Sequence, residues 1–229
     1  MSTVLFDVGN TLHHLDHAFI ATVVTRAGHP TTAGAVAHGE YAAKAAVDEM
    51  FRARAGGADG GRQLSYFEVA LVAAGVPEAA LADVMAALVA ENARRSLWRV
   101  LHADTADVLA ALVARGFSLG VVSNADGRVP AALAACGLAS FFRVIVDSHL
   151  VGVEKPDPRI FAPALRACGA EPAATVYVGD LYEIDVRGAR AAGIAPVLID
   201  PLGAYPTPVD CPQIDRLGCL LDLLPARAG

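Results

Sequence analysis

Asp7 ends the first apolar run of the chain, TVLFDVGNTL, and Asp180 and Asp185 follow a later one in VYVGDLYEID. Carboxylates gathered at one place repel each other unless a cation joins them, and hard oxygen donors of this kind suit Mg²⁺. An aspartate at the carboxyl end of a buried parallel strand stands where open α/β sheets bind ligands, and there it can act as a nucleophile. The same residue on a turn is also a common cap or turn former. Gly9, Asn10 and Thr11 follow Asp7, and small residues let the backbone approach a ligand closely.

Ser123 and Asn124 end another apolar run, LGVVSN. A hydroxyl with nearby N–H groups at a strand end can hold a phosphoryl oxygen, or it can cap the turn into the next helix. Lys155 lies in GVEKPDPRIF, where Asp157 is a good N-cap and Pro158 a good first helical residue. Only Lys44 and Lys155 are lysines; the other basic residues are all arginine. A compact ammonium held in a stiff loop before a helix is suited to neutralising developing negative charge, whereas most exposed lysines are solvated surface charges.

The elements that must position these groups are legible from periodicity. Apolar runs near 3–8, 119–123, 144–147, 175–179 and 196–199 read as buried strands. Helical stretches near 104–115, 127–136, 158–168 and 184–192 separate the later ones. Gly116, Gly137, Gly169 and Gly193 stand at their carboxyl ends, as helix caps do. Strands alternating with helices of this length imply βαβ units, so the fold class is α/β with a Rossmann-like, doubly wound, mostly parallel sheet. LGCLLDLLP near the C-terminus reads as one more helix. Residues 14–98 break the rhythm: they read as helices without a convincing strand. A loop at Gly56, Gly57, Gly60 and Gly61 would divide two helical pairs. The expected organisation is an α/β domain of residues 1–13 and 99–229 carrying an all-helical insert, 14–98.

Composition limits the functions open to this chain. It has 229 residues, 55% of them hydrophobic, and a net charge of −6 with no basic run. That argues against nucleic acid as a main partner. No segment offers ~18 uninterrupted apolar residues, so no membrane span is expected. The first residues enter a strand at once without a basic region, so no signal peptide is expected. The four cysteines form no C-x-x-C pair, which gives no sign of zinc or a redox couple and fits a reducing cytoplasm.

The four segments, in this order, resemble the haloacid dehalogenase-like (HAD) hydrolase superfamily, with its motifs at Asp7, Ser123, Lys155 and Asp180. The helical insert after the first motif resembles the family's cap domain. GVEKPDPRIF and the GD-x4-D spacing are most similar to phosphatase-type members. The resemblance implies that Asp7 attacks phosphorus and that an aspartyl-phosphate is then hydrolysed. It implies Mg²⁺ held by the Asp7 carboxylate, the Gly9 carbonyl and Asp180, with Asp185 in support. Ser123, the Asn124 region and Lys155 would hold phosphoryl oxygens, and Thr11 would orient the first loop. The implied substrate is a small phosphate ester.

One position departs from that pattern. Phosphatases of the family usually carry a second aspartate two residues after the nucleophile, as general acid and base. Here Gly9 stands there, offering a carbonyl but no proton. Lost general-acid catalysis costs ~10²–10⁴ in rate. Three outcomes are open: a good leaving group such as a phenolate or carboxylate, a substitute such as His13 or His14, or a slow enzyme. Both histidines also read as surface residues at the hinge of the insert. A metal-independent haloacid dehalogenase would tolerate Gly9 but has no use for Asp180. A phosphonoacetaldehyde hydrolase would need a Schiff-base lysine, and Lys44 in YAAKAAVDEM reads as part of an ordinary amphipathic helix. A binding module that has lost catalysis is the non-enzymatic alternative. The insert offers Arg26, His29, His38, Arg52 and Arg54 as specificity residues. Phe67, Leu71 and Trp98 would pack internally or against a second chain, leaving monomer and homodimer both open.

Overall fold

Strand β1 (Thr3–Phe6) is buried along its whole length in the computed structural model, as a central parallel strand covered on both faces must be. The structure describes residues 1–55, 65–205 and 209–226, without the side chains of 54 and 55. The Gly56–Gly61 loop and the Arg54 side chain lie outside the described residues.

The chain divides into two units: residues 1–13, 101–201 and 207–229 form one, and 14–100 with 202–206 the other. The second unit contains β2 (His14–Leu15), α1 (His17–Arg26), α2 (Ala33–Ala55), α3 (Tyr66–Ala73), α4 (Leu81–Arg94) and β3 (Trp98–Val100). Its core gathers Ile20, Val24, Leu71, Val84 and Leu88. Phe67 and Trp98 pack against that core with ring centroids 6.4 Å apart, so these residues pack internally. A Cβ on Gly39 of α2 would lie 2.1 Å from the Ala70 carbonyl oxygen, so α2 and α3 meet at backbone contact only because residue 39 has no side chain.

Two expectations for this unit need correction. β2 and β3 pair antiparallel, His14 with Val100 and Leu15 with Trp98, so the insert is not all helical. Two and three residues are too few for strand periodicity to appear in a sequence. Lys44 is not on an ordinary amphipathic helix either. It is fully buried, and so are Glu40 and Asp48, one turn before and after it on the same face of α2. Glu40 accepts a hydrogen bond from the Tyr66 hydroxyl (2.9 Å) and is bonded to the His17 ring.

The first unit continues with α5 (Thr105–Ala114), β4 (Ser118–Ser123), α6 (Val129–Ala135), β5 (Val144–Asp147), α7 (Ser148–Val151) and α8 (Ala162–Cys168). It closes with β6 (Thr175–Gly179), α9 (Arg187–Ala191), β7 (Ala195–Ile199), β8 (Gln213–Ile214) and α10 (Leu220–Leu223). A 3₁₀ turn, Pro158–Phe161, leads into α8, and a π-helical turn, Tyr182–Val186, leads into α9. The spacing had merged each pair into one helix. The sheet order is β5-β4-β1-β6-β7-β8, with every pairing parallel. β1 is therefore the switch point: the chain passes through β4 and β5 on one side and β6, β7 and β8 on the other. Ligands of doubly wound sheets bind outside the carboxyl ends of the strands at such a point. One face of the sheet is covered by a cluster around Phe6, Leu109, Leu133 and Val178, the other by Leu5, Phe161, Tyr177 and Ile194.

Candidate active site

Asp7 directly follows β1, Ser123 ends β4 and Asp180 directly follows β6. Register aligns Phe6 with Val121 on one side and Val178 on the other, which brings Ser123 and Asp180 level with each other and one residue beyond Asp7 at the carboxyl edge. Asp7 keeps its backbone tied to the sheet through its N–H, which donates to the Val178 carbonyl (2.8 Å). The Ser123 hydroxyl favours the charged form of the Asp7 carboxylate. Oxygen atoms of Asp7, Asp180 and Asp185 all lie within 4.8 Å of one another, and all three residues are buried.

Lys155 reaches this cluster from the loop before α8. Its backbone is clamped at both ends by Asn124: the Lys155 N–H donates to Asn124 Oδ1 (2.7 Å), and Asn124 Nδ2 donates to the Lys155 carbonyl (3.0 Å). The Asn124 side chain is thus engaged in fixing the lysine loop. The Lys155–Pro156 peptide is cis. A Cβ on Gly188 of α9 would lie 3.1 Å from Pro156 Cα, so the small residue lets α9 close against this loop.

The ammonium has three protons and three partners. Nζ donates to Asp7 Oδ1 (2.8 Å), Asp185 Oδ1 (2.7 Å) and the Tyr177 hydroxyl (2.7 Å). A lysine has no further donor. In this arrangement all three Lys155 protons are taken up by protein groups, the Asp7 carboxylate among them. Burial opposes its charge, but the Asp185 and Asp7 carboxylates outweigh burial and hold its pKa above the ordinary lysine value.

Asp185 is held as firmly. Oδ2 accepts from the backbone N–H groups of Asp180 (3.0 Å) and Leu181 (2.9 Å), so this carboxylate shapes the loop that carries Asp180. The π-helical turn delivers it: the Asp185 N–H bonds back to the Leu181 carbonyl (2.7 Å). Burial raises the pKa of Asp7; Lys155 opposes the shift and Asp185 adds to it.

Two further residues of this neighbourhood escaped sequence reasoning. Tyr177 is a polar residue in the middle of an apolar strand, and that oddity was the available signal. Burial, with the Asp185 and Asp7 carboxylates, pushes its phenol pKa well above the ordinary value, so the hydroxyl keeps its proton. Asp147, fully buried at the end of β5, accepts from the N–H groups of Gly127, Val129 and His149 and so holds the loop after Asn124. Sequence gave no sign of this, because the partners lie on separate segments.

Thr11 is buried, and its hydroxyl has no hydrogen-bond partner among the described residues. Gly9 is partly exposed two residues after Asp7. His13 is not a surface residue: it is buried, with Nε2 3.4 Å from Cys136 Sγ, while His14 lies in β2 and is partly exposed. The sequence reading had placed the His13 ring in solvent, whereas the fold buries it.

The donor set fits a divalent cation. Three buried carboxylates gather around the Lys155 ammonium, and a divalent cation among them would offset their mutual repulsion. All the donors are hard oxygens, as Mg²⁺ requires.

Comparison with known proteins gives the family of the chain. A bovine protein named haloacid dehalogenase-like hydrolase domain-containing protein 3 is 39% identical over 160 residues, covering 67% of this chain and 62% of that protein. Against its vertebrate counterparts in cow, zebrafish, mouse and human, the chain spans 53–65% of their length. A phosphoserine phosphatase of Thermus thermophilus is 34% identical over 168 residues, 73% of this chain and 65% of that one. Among solved structures, a HAD-hydrolase of Bacillus subtilis bound to magnesium superposes with a TM-score of 0.66 at 22% identity, covering 97% of both chains, which shows a shared fold. The model of the haloacid dehalogenase-like hydrolase family matches residues 1–193, which include every site residue named above, and the chain belongs to that family.

Proposed function

We propose that this protein is a Mg²⁺-dependent phosphohydrolase that cleaves small phosphate esters through an aspartyl-phosphate at Asp7. The observation that carries the reading is the cluster of Asp7, Asp180 and Asp185 at the sheet switch point, with Lys155 as its ammonium partner. The phosphoserine phosphatase relative lends support, as do glyceraldehyde 3-phosphate phosphatases such as that of Methanopyrus kandleri, 38% identical over 117 residues. A carboxylate at Asp180 has no role in a metal-independent dehalogenase.

Asp7, the Gly9 carbonyl and Asp180 would hold Mg²⁺, with Asp185 supporting them. When bound, the ion supplies positive charge that screens the anionic nucleophile from the anionic substrate. The Ser123 hydroxyl would hold a phosphoryl oxygen, and Lys155 fixes the rotamer of Asp7. Its carboxylate oxygen forms a bond to phosphorus as the bond to the leaving oxygen breaks. Water then cleaves the acyl phosphate, releasing phosphate and restoring the carboxylate. Thr11, with its hydroxyl unspent, and the loop at Asn124 supply polar groups beside the transferred phosphoryl. Because Gly9 gives no proton to the leaving oxygen, esters with stable leaving groups, aryl and acyl phosphates, are the preferred class. The site belongs to a protein we place in the cytoplasm as a monomer or homodimer.

The test is p-nitrophenyl phosphate, whose leaving group needs little protonation. Turnover that requires Mg²⁺ and disappears in Asp7→Asn supports the reading. Release of halide from 2-chloropropionate without Mg²⁺ would replace it with a dehalogenase, and pure folded protein inert to both would make the chain a binding module.

A further inference from the structure

The Tyr177 hydroxyl is the third acceptor of the Lys155 ammonium, and its own proton has the Val122 carbonyl at 2.8 Å and Asp185 Oδ1 at 3.2 Å. With a single proton to give, it favours the nearer carbonyl. Val122 lies in β4 and Tyr177 in β6, the two strands that flank β1. The hydroxyl therefore ties the sheet together beneath Asp7 and meets the ammonium from below. The ring is fully buried and held edge-on by Phe161, with centroids 5.0 Å apart and planes at 85°. A ring placed this way cannot withdraw its hydroxyl from Lys155 without disturbing the core.

We propose that Tyr177 is a positioning residue: its hydroxyl takes the third proton of Lys155, so that the ammonium points its other two at Asp7 and Asp185 and holds the nucleophile in its attacking rotamer. This rests on the phosphohydrolase reading for its catalytic consequence, but the positioning itself is a property of the folded chain. Without the hydroxyl, one Lys155 proton loses its acceptor, the ammonium turns among its remaining partners, and Asp7 loses its fixed orientation. Substrate contacts are untouched. The loss therefore falls on the chemical step and spares binding.

Two readouts test this in Tyr177→Phe, which keeps the ring. In steady-state kinetics with p-nitrophenyl phosphate, kcat falls by about tenfold to hundredfold, the size of one hydrogen bond to a charged group. KM stays within about twofold. The second readout needs no turnover. With two lysines in the whole sequence, protein labelled with ¹⁵N at lysine Nζ gives two ammonium signals, and Lys155→Arg assigns them. The Lys155 signal is slow to exchange with water in the wild type and exchanges at least about tenfold faster in Tyr177→Phe. Phe161→Leu is the control: it loosens the ring packing and leaves the hydroxyl in place, so it lowers thermal stability without moving either readout. Unchanged Lys155 exchange in Tyr177→Phe overturns the proposal. So does a loss matched by Phe161→Leu, which would make the tyrosine a packing residue. Wild-type protein without phosphatase activity overturns the functional reading, and the exchange experiment then still decides the role of Tyr177.

Discussion

A Cβ at residue 179 would stand 2.4 Å from Cγ of Asp185 and 2.6 Å from its Cβ, closer than real atoms approach. Gly179 thus gives Asp185 the space from which it serves Lys155 with one oxygen and the Asp180–Leu181 backbone with the other. Gly179→Ala must push this carboxylate aside. Because the clash includes Asp185 Cβ, a rotamer change does not relieve it. The expected outcome is a drop in kcat/KM of about 10²-fold or more, the scale of a misplaced catalytic group. Stabilisation by Mg²⁺ in a thermal melt should also be lost. A variant that keeps both would show that the loop tolerates a displaced Asp185.

The charge balance of the cluster yields a second prediction. Three carboxylates against one ammonium strain the metal-free protein, and Asp7→Asn relieves one of them. Without divalent metal, the variant should melt higher than the wild type by about 2 °C or more. With Mg²⁺ at ~100 times its Kd, linkage adds ~2.7 kcal/mol to a binding-competent protein, or roughly 5–10 °C at this size. The wild type should gain this, the variant much less, so the order of the two melts reverses. Equal gains would remove Asp7 from the metal site.

Asp16 carries a pH-dependent part of the stability of the helical unit. Its carboxylate caps α1 through the Phe19 N–H (2.9 Å) and accepts from Arg99 Nε (2.9 Å). Burial is the largest single influence and raises its pKa, but the Phe19 N–H, the Arg99 bond and the nearby Arg99 and Arg95 charges together outweigh it and leave it below the ordinary carboxylate value. The sign follows: the contribution is complete above the unfolded value of about 3.9 and disappears as pH falls through the lower folded value. Asp16→Ala should cost about 1 kcal/mol at pH 7, a normal cap loss. In chemical denaturation the gap between variant and wild type should narrow below pH 4. A constant gap would mean that packing, not the charged cap, is what is lost.

These relationships differ in how far sequence exposes them. The α/β sheet was legible because buried parallel strands are unbroken apolar runs and each ends in a cap or turn signal, as at Asp7, Ser123 and Gly179. β8 was not, because two residues, Gln213 and Ile214, carry no period. The site's acidic and basic members were legible because charge at the end of an apolar run is conspicuous. Where those charges point is set by neighbours from several elements: the three protons of Lys155 end on residues following β1, within β6 and on the turn before α9. No local pattern encodes that convergence. Tyr177 was passed over because its ring suits an apolar strand, although the hydroxyl it carries there was a signal. His13 and Lys44 were misread for the opposite reason, since polar side chains are taken as solvated until a fold buries them.

Gly9 carries the prediction closest to substrate choice. It is partly exposed two residues after Asp7, the position from which family phosphatases supply an acid. Gly9→Asp would return a carboxyl group to that position. An alkyl phosphate leaves as a strongly basic alkoxide and gains most from protonation, up to the ~10²–10⁴ that general acids contribute. An aryl phosphate such as p-nitrophenyl phosphate leaves as a stabilised phenolate and gains little. The variant should therefore raise kcat for alkyl esters at least about tenfold more than for aryl esters, shifting preference away from good leaving groups. The comparison must be made at saturating Mg²⁺, because a fourth carboxylate near the cluster also changes its affinity for the ion. Equal acceleration of both classes would trace the effect to metal binding and would mean that the native enzyme does not lack a proton donor.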